Sequence, residues 1–178
     1  MSEPRIGILV VAYNAATTLA SVLDRIPPSV RPKIEEVIIA DDASPDGGST
    51  YLVGLGYQTR GSDLPLTVMR HEKNLGYGGN QKMGYRYAID KGFDIIVMLH
   101  GDGQYAPEAL PEILEPLVEG RADAVFGSRM MIAGAARRGG VTPAMLRVPA
   151  SAPVAPRRPG SIRSERDQLA ADLVAARE

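Results

Sequence analysis

The chain has 178 residues, 44% of them hydrophobic, a formal net charge of −1 and no cysteine. That length fits one domain with or without a tail, and the near-neutral charge gives no electrostatic ground for nucleic-acid binding. Without cysteine there is neither a disulfide nor thiolate-bound zinc, no stretch approaches the roughly 20 apolar residues of a membrane span, and the first five residues lack a secretion-signal pattern, so a cytoplasmic protein is expected.

Arg5 to Val11 reads as a first strand, apolar at nearly every position and therefore central in a sheet. It ends at Ala12-Tyr13-Asn14. Thr17 to Ile26 carries Leu19, Val22, Leu23 and Ile26 at helical spacing, and Pro27-Pro28 stops that helix. A loop bearing Tyr13 and Asn14 suits a planar ring. Equally, Tyr13 packs and Asn14 caps the helix.

Glu36 to Ala40 is a second buried strand, and it delivers Asp41-Asp42. Adjacent carboxylates repel unless donors satisfy them. Asp42, at the strand end, is placed to accept from a base or a ribose hydroxyl. Ser44 to Gly48 has turn chemistry, and Asp46 reads as a turn or cap residue. A short helix over Ser49–Leu55, a polar connection from Gly56 to Pro65 and a third strand over Leu66–Arg70 follow. His71 reads as a surface residue at the strand end. Gly76, Gly78 and Gly79 then lead into a helix expected from Asn80 to Asp90, with Tyr85 packed inward. Such a helix start brings backbone N–H groups close to an anion. Neither glycine-rich phosphate fingerprint is present.

The most informative stretch is Ile95 to Glu108. A continuous apolar run, Ile95 to Leu99, has the length of a buried parallel strand. It stops on His100, Asp102 and Gln104, separated by Gly101 and Gly103, and Pro107 starts a helix. Open α/β sheets bind ligands at the carboxyl ends of their strands. Positions 100, 102 and 104 face one point if the segment is extended. An imidazole, a carboxylate and an amide oxygen suit a loosely held divalent cation, with room for phosphate oxygens and water. Pro107 to Val118 then reads as a helix and Asp123 to Phe126 as a strand leading to Gly127-Ser128-Arg129. Arg129 either meets a diphosphate bidentately or is a surface arginine.

From Ala133 the apolar periodicity disappears. Val141 to Arg163 shows no strand or helix pattern and is expected to be disordered. Ser164 to Arg177 reads as a short terminal helix, marginal on its own. The division expected is a domain over 1–140 and a tail over 141–178. The fold class expected is α/β, a single mostly parallel sheet with helices on both faces.

The order of these motifs resembles family 2 glycosyltransferases, whose fold is of the nucleotide-sugar-binding GT-A type. The likeness is strongest to the polyprenyl-phosphate (dolichyl-phosphate) mannose synthase-like branch. It runs from Arg5 to Gly140 and rests on Tyr13-Asn14, Asp41-Asp42, Asn74 to Gln81, and His100 to Gln104. The resemblance implies that Ala12, Tyr13 and Asn14 form a nucleotide-contacting loop. It implies that Asp41-Asp42 is the acidic pair whose second member reads the base. Gly79 would belong to the loop beside the nucleotide, and Arg129 would meet the diphosphate. The metal site would be His100, Asp102 and Gln104, in the place of the family's Asp-x-Asp-x-Gln. His100 replaces its first aspartate, and imidazole suits Mn²⁺ better than Mg²⁺. Ala15 replaces a frequent glutamate.

The function implied is metal-assisted, inverting transfer of a sugar from a nucleotide-diphosphate sugar to an acceptor such as a polyprenyl phosphate. No general base is assigned. Such an acceptor implies a protein peripheral at the membrane. Because the resemblance stops near Gly140, the chain reads as truncated, and a shifted reading frame in GC-rich DNA would give a tail rich in Ala, Arg and Pro. The alternative is therefore a non-catalytic nucleotide-diphosphate binder. A nucleotidyltransferase that makes the sugar donor ranks last, because no arginine- and lysine-rich glycine loop follows Val11.

Overall fold

The computed structural model describes residues 3–126 and the backbone of 144–147. Its strands are β1 (Ile6–Ala12), β2 (Ile34–Asp41), β3 (Leu66–Arg70), β4 (Ile95–His100), β5 (Ala124–Phe126) and β6 (Ala144–Arg147). Its α-helices are α1 (Leu19–Asp24), α2 (Ser49–Thr59), α3 (Gly76–Lys91) and α4 (Leu110–Val118). All strands form one sheet in the order β3-β2-β1-β4-β6-β5. The first four are mutually parallel, and β6 runs antiparallel to both β4 and β5.

The near-continuous apolar composition of β1, β2 and β4 has a direct cause: both faces of the sheet are covered. Ile8, Val10, Val37, Ile39, Val97 and Leu99 pack on one face with Leu19, Val22 and Leu23 of α1 and Leu110, Ile113 and Leu117 of α4. Leu9, Val11, Ile38, Ile96 and Met98 pack on the other with Tyr85 and Ala88 of α3. The alternation follows from the two-residue side-chain period of a strand. Gly84 lets α3 approach closely, since a Cβ there would lie 2.4 Å from both terminal carbons of Leu9.

Besides shifts of up to three residues at other element ends, three features differ from the sequence reading. α2 continues four residues past Leu55, because Tyr57 is buried in the core and the Gln58 side chain donates to the Leu66 carbonyl at 2.6 Å. α3 begins at Gly76 rather than Asn80. There the Asn74 side chain accepts the Gly76 N–H at 2.8 Å and the Asp42 carboxylate accepts the Leu75 N–H at 2.7 Å, so acceptors are available one turn earlier. The expectation of a tail without strands from Val141 fails at Ala144–Arg147. This strand sits between β4 and β5, with Ile96 opposite Leu146 and Val125 opposite Met145. Ladder partners remote in sequence make it a strand, so it left no local alternation to read. The terminal helix expected over Ser164–Arg177 lies outside the described residues.

Candidate functional site

A cleft of about 430 Å³ opens at the carboxyl ends of β1, β2 and β4. The chain leaves β1 toward β2 on one side, while β4 lies on the other, so the crevice forms where the strand order reverses. Val11, Ala12 and Tyr13 form its wall at the end of β1. Tyr13 is 50% exposed and holds its ring at the opening rather than in the core. Asn14 has a left-handed backbone (φ 52°), and its N–H donates to the Ser44 hydroxyl at 2.9 Å. It does not cap α1: the N-cap residue is Thr18, whose hydroxyl donates to the Gly101 carbonyl at 2.6 Å. The start of α1 is thereby tied to the loop after β4.

Asp41 and Asp42 diverge. Asp41 is fully buried, and one carboxylate oxygen accepts both the N–H and the hydroxyl of Ser44. Its other oxygen has no hydrogen-bond partner but lies 3.3 Å from Arg70 Nε, an ion pair that offsets its burial. Asp41 holds the loop in place, whereas Asp42 lines the cleft. Asp42 is only 3% exposed, and the Leu75 N–H occupies one of its oxygens. Asp46 is a turn and cap residue, as expected: its carboxylate accepts the Gly48 N–H at 3.0 Å and the Thr50 N–H and hydroxyl at 2.9 and 2.5 Å. The Thr50 hydroxyl in turn accepts the Ala15 N–H at 2.9 Å.

On the α3 side, Asn74, Gly76, Tyr77 and Asn80 complete the wall. Asn80 is buried, and its amide donates to the Ala40 carbonyl while its oxygen lies 2.9 Å from His71 Nε2. His71 is thus a prop for a cleft residue rather than a plain surface residue. Gly79 is not on the cleft lining, and a Cβ there would lie 2.7 Å from Leu75 Cβ, so it serves the helix start.

The loop after β4 is a turn rather than an extended segment, with Gly103 at φ 77°. Positions 100, 102 and 104 therefore do not converge through strand alternation. His100 and Asp102 line the cleft, and the exposed Gln104 is not on its lining. Asp102 accepts the Gln104 N–H at 3.0 Å, and its second oxygen has no protein partner among the described residues. His100 stands between two tyrosine rings, Tyr77 at 5.2 Å and Tyr105 at 4.1 Å between centroids, both edge-on. Its Nε2 lies 3.0 Å from the Tyr77 hydroxyl. Burial pushes the imidazole pKa down and Asp102 acts the other way, with burial the larger effect, so His100 is neutral at physiological pH. Among the described residues no three His, Asp or Glu side chains are grouped for metal binding. Arg129 lies outside the described residues. The Tyr77–His100 contact, across 23 positions, left no signal in the sequence.

The glycosyl transferase family 2 model matches residues 7–168. An undecaprenyl-phosphate mannosyltransferase from Micrococcus luteus is 32% identical over 131 residues, which are 73% of this chain and 50% of that protein. A dolichol-phosphate mannosyltransferase from Pyrococcus furiosus is 27% identical over 73% of this chain and 34% of its own length. A mannosyltransferase from Pyrobaculum calidifontis, solved with GDP-mannose and Mn²⁺, superposes with a TM-score of 0.58 at 25% identity, over 72% of this chain and 36% of that one. The chain spans about half the length of the first curated relative, and a third of the other two. No helix among the described residues is long and apolar enough to cross a membrane. With the family model covering most of the chain on a matching α/β fold, the chain belongs to glycosyl transferase family 2.

Proposed function

We propose that the cleft is the donor site of a sugar-transfer reaction, taking a nucleotide-diphosphate sugar together with a divalent cation. The observation that carries this reading is the meeting of Asp42, Tyr13, His100 and Asp102 in one cleft at the switch point of a parallel sheet. The buried Asp42 carboxylate keeps one oxygen for a base or ribose donor. Tyr13 offers an exposed ring face for stacking.

The donor set fits a divalent cation. Asp102 supplies one ionised oxygen without a protein partner, and His100 supplies a neutral imidazole, a pair that suits Mn²⁺ better than Mg²⁺. Such a cation would neutralise charge on the departing diphosphate. Gln104 joins this site through its backbone N–H, which donates to the Asp102 carboxylate. Arg129 is the proposed diphosphate partner. Asn14, Asp41 and Gly79 support the nucleotide loops from behind.

The relatives favour a polyprenyl phosphate as acceptor, which would bring the protein to the membrane surface as a peripheral partner. An acceptor that is already an ionised phosphate needs no general base to activate it. The test has two steps. Calorimetry with GDP, UDP and TDP, with and without Mn²⁺, is expected to give binding that Mn²⁺ strengthens. A radiolabelled-sugar assay with a polyprenyl phosphate then reads transfer. Absence of nucleotide binding under every condition would refute the donor-site reading, and binding without transfer would favour a nucleotide-diphosphate binder.

A further inference from the structure

We propose that Tyr77 and the divalent cation compete for Nε2 of His100, so that the first turn of α3 releases the imidazole when the cation binds; this rests on the cation-assisted reading of the cleft given above. The Tyr77 hydroxyl lies 3.0 Å from His100 Nε2 and also accepts from the Gln81 side-chain amide at 2.9 Å. In one tautomer Nε2 accepts the tyrosine proton. In the other Nε2 carries a proton and donates it. Its lone pair is used in the first case and absent in the second, so in neither can it ligate a cation while Tyr77 stays in place.

The imidazole itself is poorly placed to turn away, since Tyr105 packs edge-on against it at 4.1 Å. The tyrosine is the more exposed of the two. Tyr77 is 53% exposed, and it sits in a turn containing Gly76 and Gly78, where a Cβ would meet nothing within 4 Å. Asp102 and His100 share the cleft lining, and Asp102 supplies the charge that draws a cation to it. Tyr77 also lines the nucleotide cleft. Its displacement therefore links cation binding to the shape of the wall that faces the nucleotide, which makes Tyr77 a positioning residue.

Removing the hydroxyl removes the competitor and leaves the ring. Tyr77→Phe is expected to tighten Mn²⁺ binding by roughly three- to tenfold, the equivalent of one ordinary hydrogen bond. The experiment is titration of the whole chain with Mn²⁺, alone and with GDP, following free Mn²⁺ by electron paramagnetic resonance. His100→Ala is expected to weaken binding, and Tyr77→Phe/His100→Ala to match His100→Ala alone. No tightening in Tyr77→Phe, or tightening that persists without His100, would overturn the competition. Loss of Mn²⁺ binding in Asp102→Asn alongside either of those results would leave the cation site standing and remove only the role of Tyr77. Mn²⁺ binding untouched by both Asp102→Asn and His100→Ala would overturn the two readings together.

Discussion

The Asp42 carboxylate accepts the backbone N–H of Leu75 across 2.7 Å, tying the end of β2 to the residue that precedes α3. Asp42 therefore shapes the cleft as well as facing it. A hydrogen bond to a charged group is typically worth about 1.5–3 kcal/mol. Asp42→Ala is expected to weaken GDP or UDP binding by roughly tenfold to a hundredfold. Asp46→Ala should have far less effect, because its carboxylate is committed to Gly48 and Thr50. Calorimetry on the two variants checks the difference, and equal losses would contradict the assignment of Asp42.

Asp46 should matter for stability instead. Its hydrogen bonds, first that from the Thr50 hydroxyl, hold its pKa below the ordinary value of 3.8. The folded state thus binds fewer protons than the unfolded chain around that pH. The stabilisation is complete above 3.8 and is lost as the pH falls through the folded-state pKa. Asp46→Asn should be less resistant to urea than the parent near about pH 7, and the gap should narrow near about pH 3. A gap of constant size would mean that the carboxylate charge is not the source.

Asp102 is the one ionised side chain offered to a cation by the loop after β4. His100 and Gln104 are neutral, so each contributes less attraction. Asp102→Asn is expected to abolish the strengthening of nucleoside-diphosphate binding by Mn²⁺ while leaving metal-free binding nearly intact. Calorimetry with and without Mn²⁺ measures both quantities. Unchanged Mn²⁺ dependence would place the cation elsewhere.

Gly84 is the contact point between α3 and β1. An added Cβ would meet Leu9 at 2.4 Å, and Leu9 is fully buried. Overpacking of this kind typically costs about 1–3 kcal/mol. Gly84→Ala should therefore lower the unfolding free energy by about that amount, even though alanine is the better helix former. Chemical denaturation gives the comparison, and a stabilised variant would show that α3 can shift outward freely.

The parallel core was legible in the residues alone, because a strand buried on both faces must be apolar almost throughout. Ile6–Ala12 and Ile95–His100 could therefore be recognised without partners, and the Leu66–Arg70 boundaries agree at both ends. The turn role of Asp46 was equally local, since a carboxylate ahead of two glycines and Thr50 finds its donors within four residues. Other features needed the assembled sheet. Asp41 and Asp42 are neighbours of one type, and only the packing of β2 against β1 and β3 decides that the first is buried against Ser44 and Arg70 and the second faces the cleft. Ala144–Arg147 is a strand because β4 and β5 offer it two edges, which no property of its own four residues announces. Tyr77 meets His100 only because α3 crosses the sheet with its first turn above the end of β4, a distance in space that sequence separation does not encode.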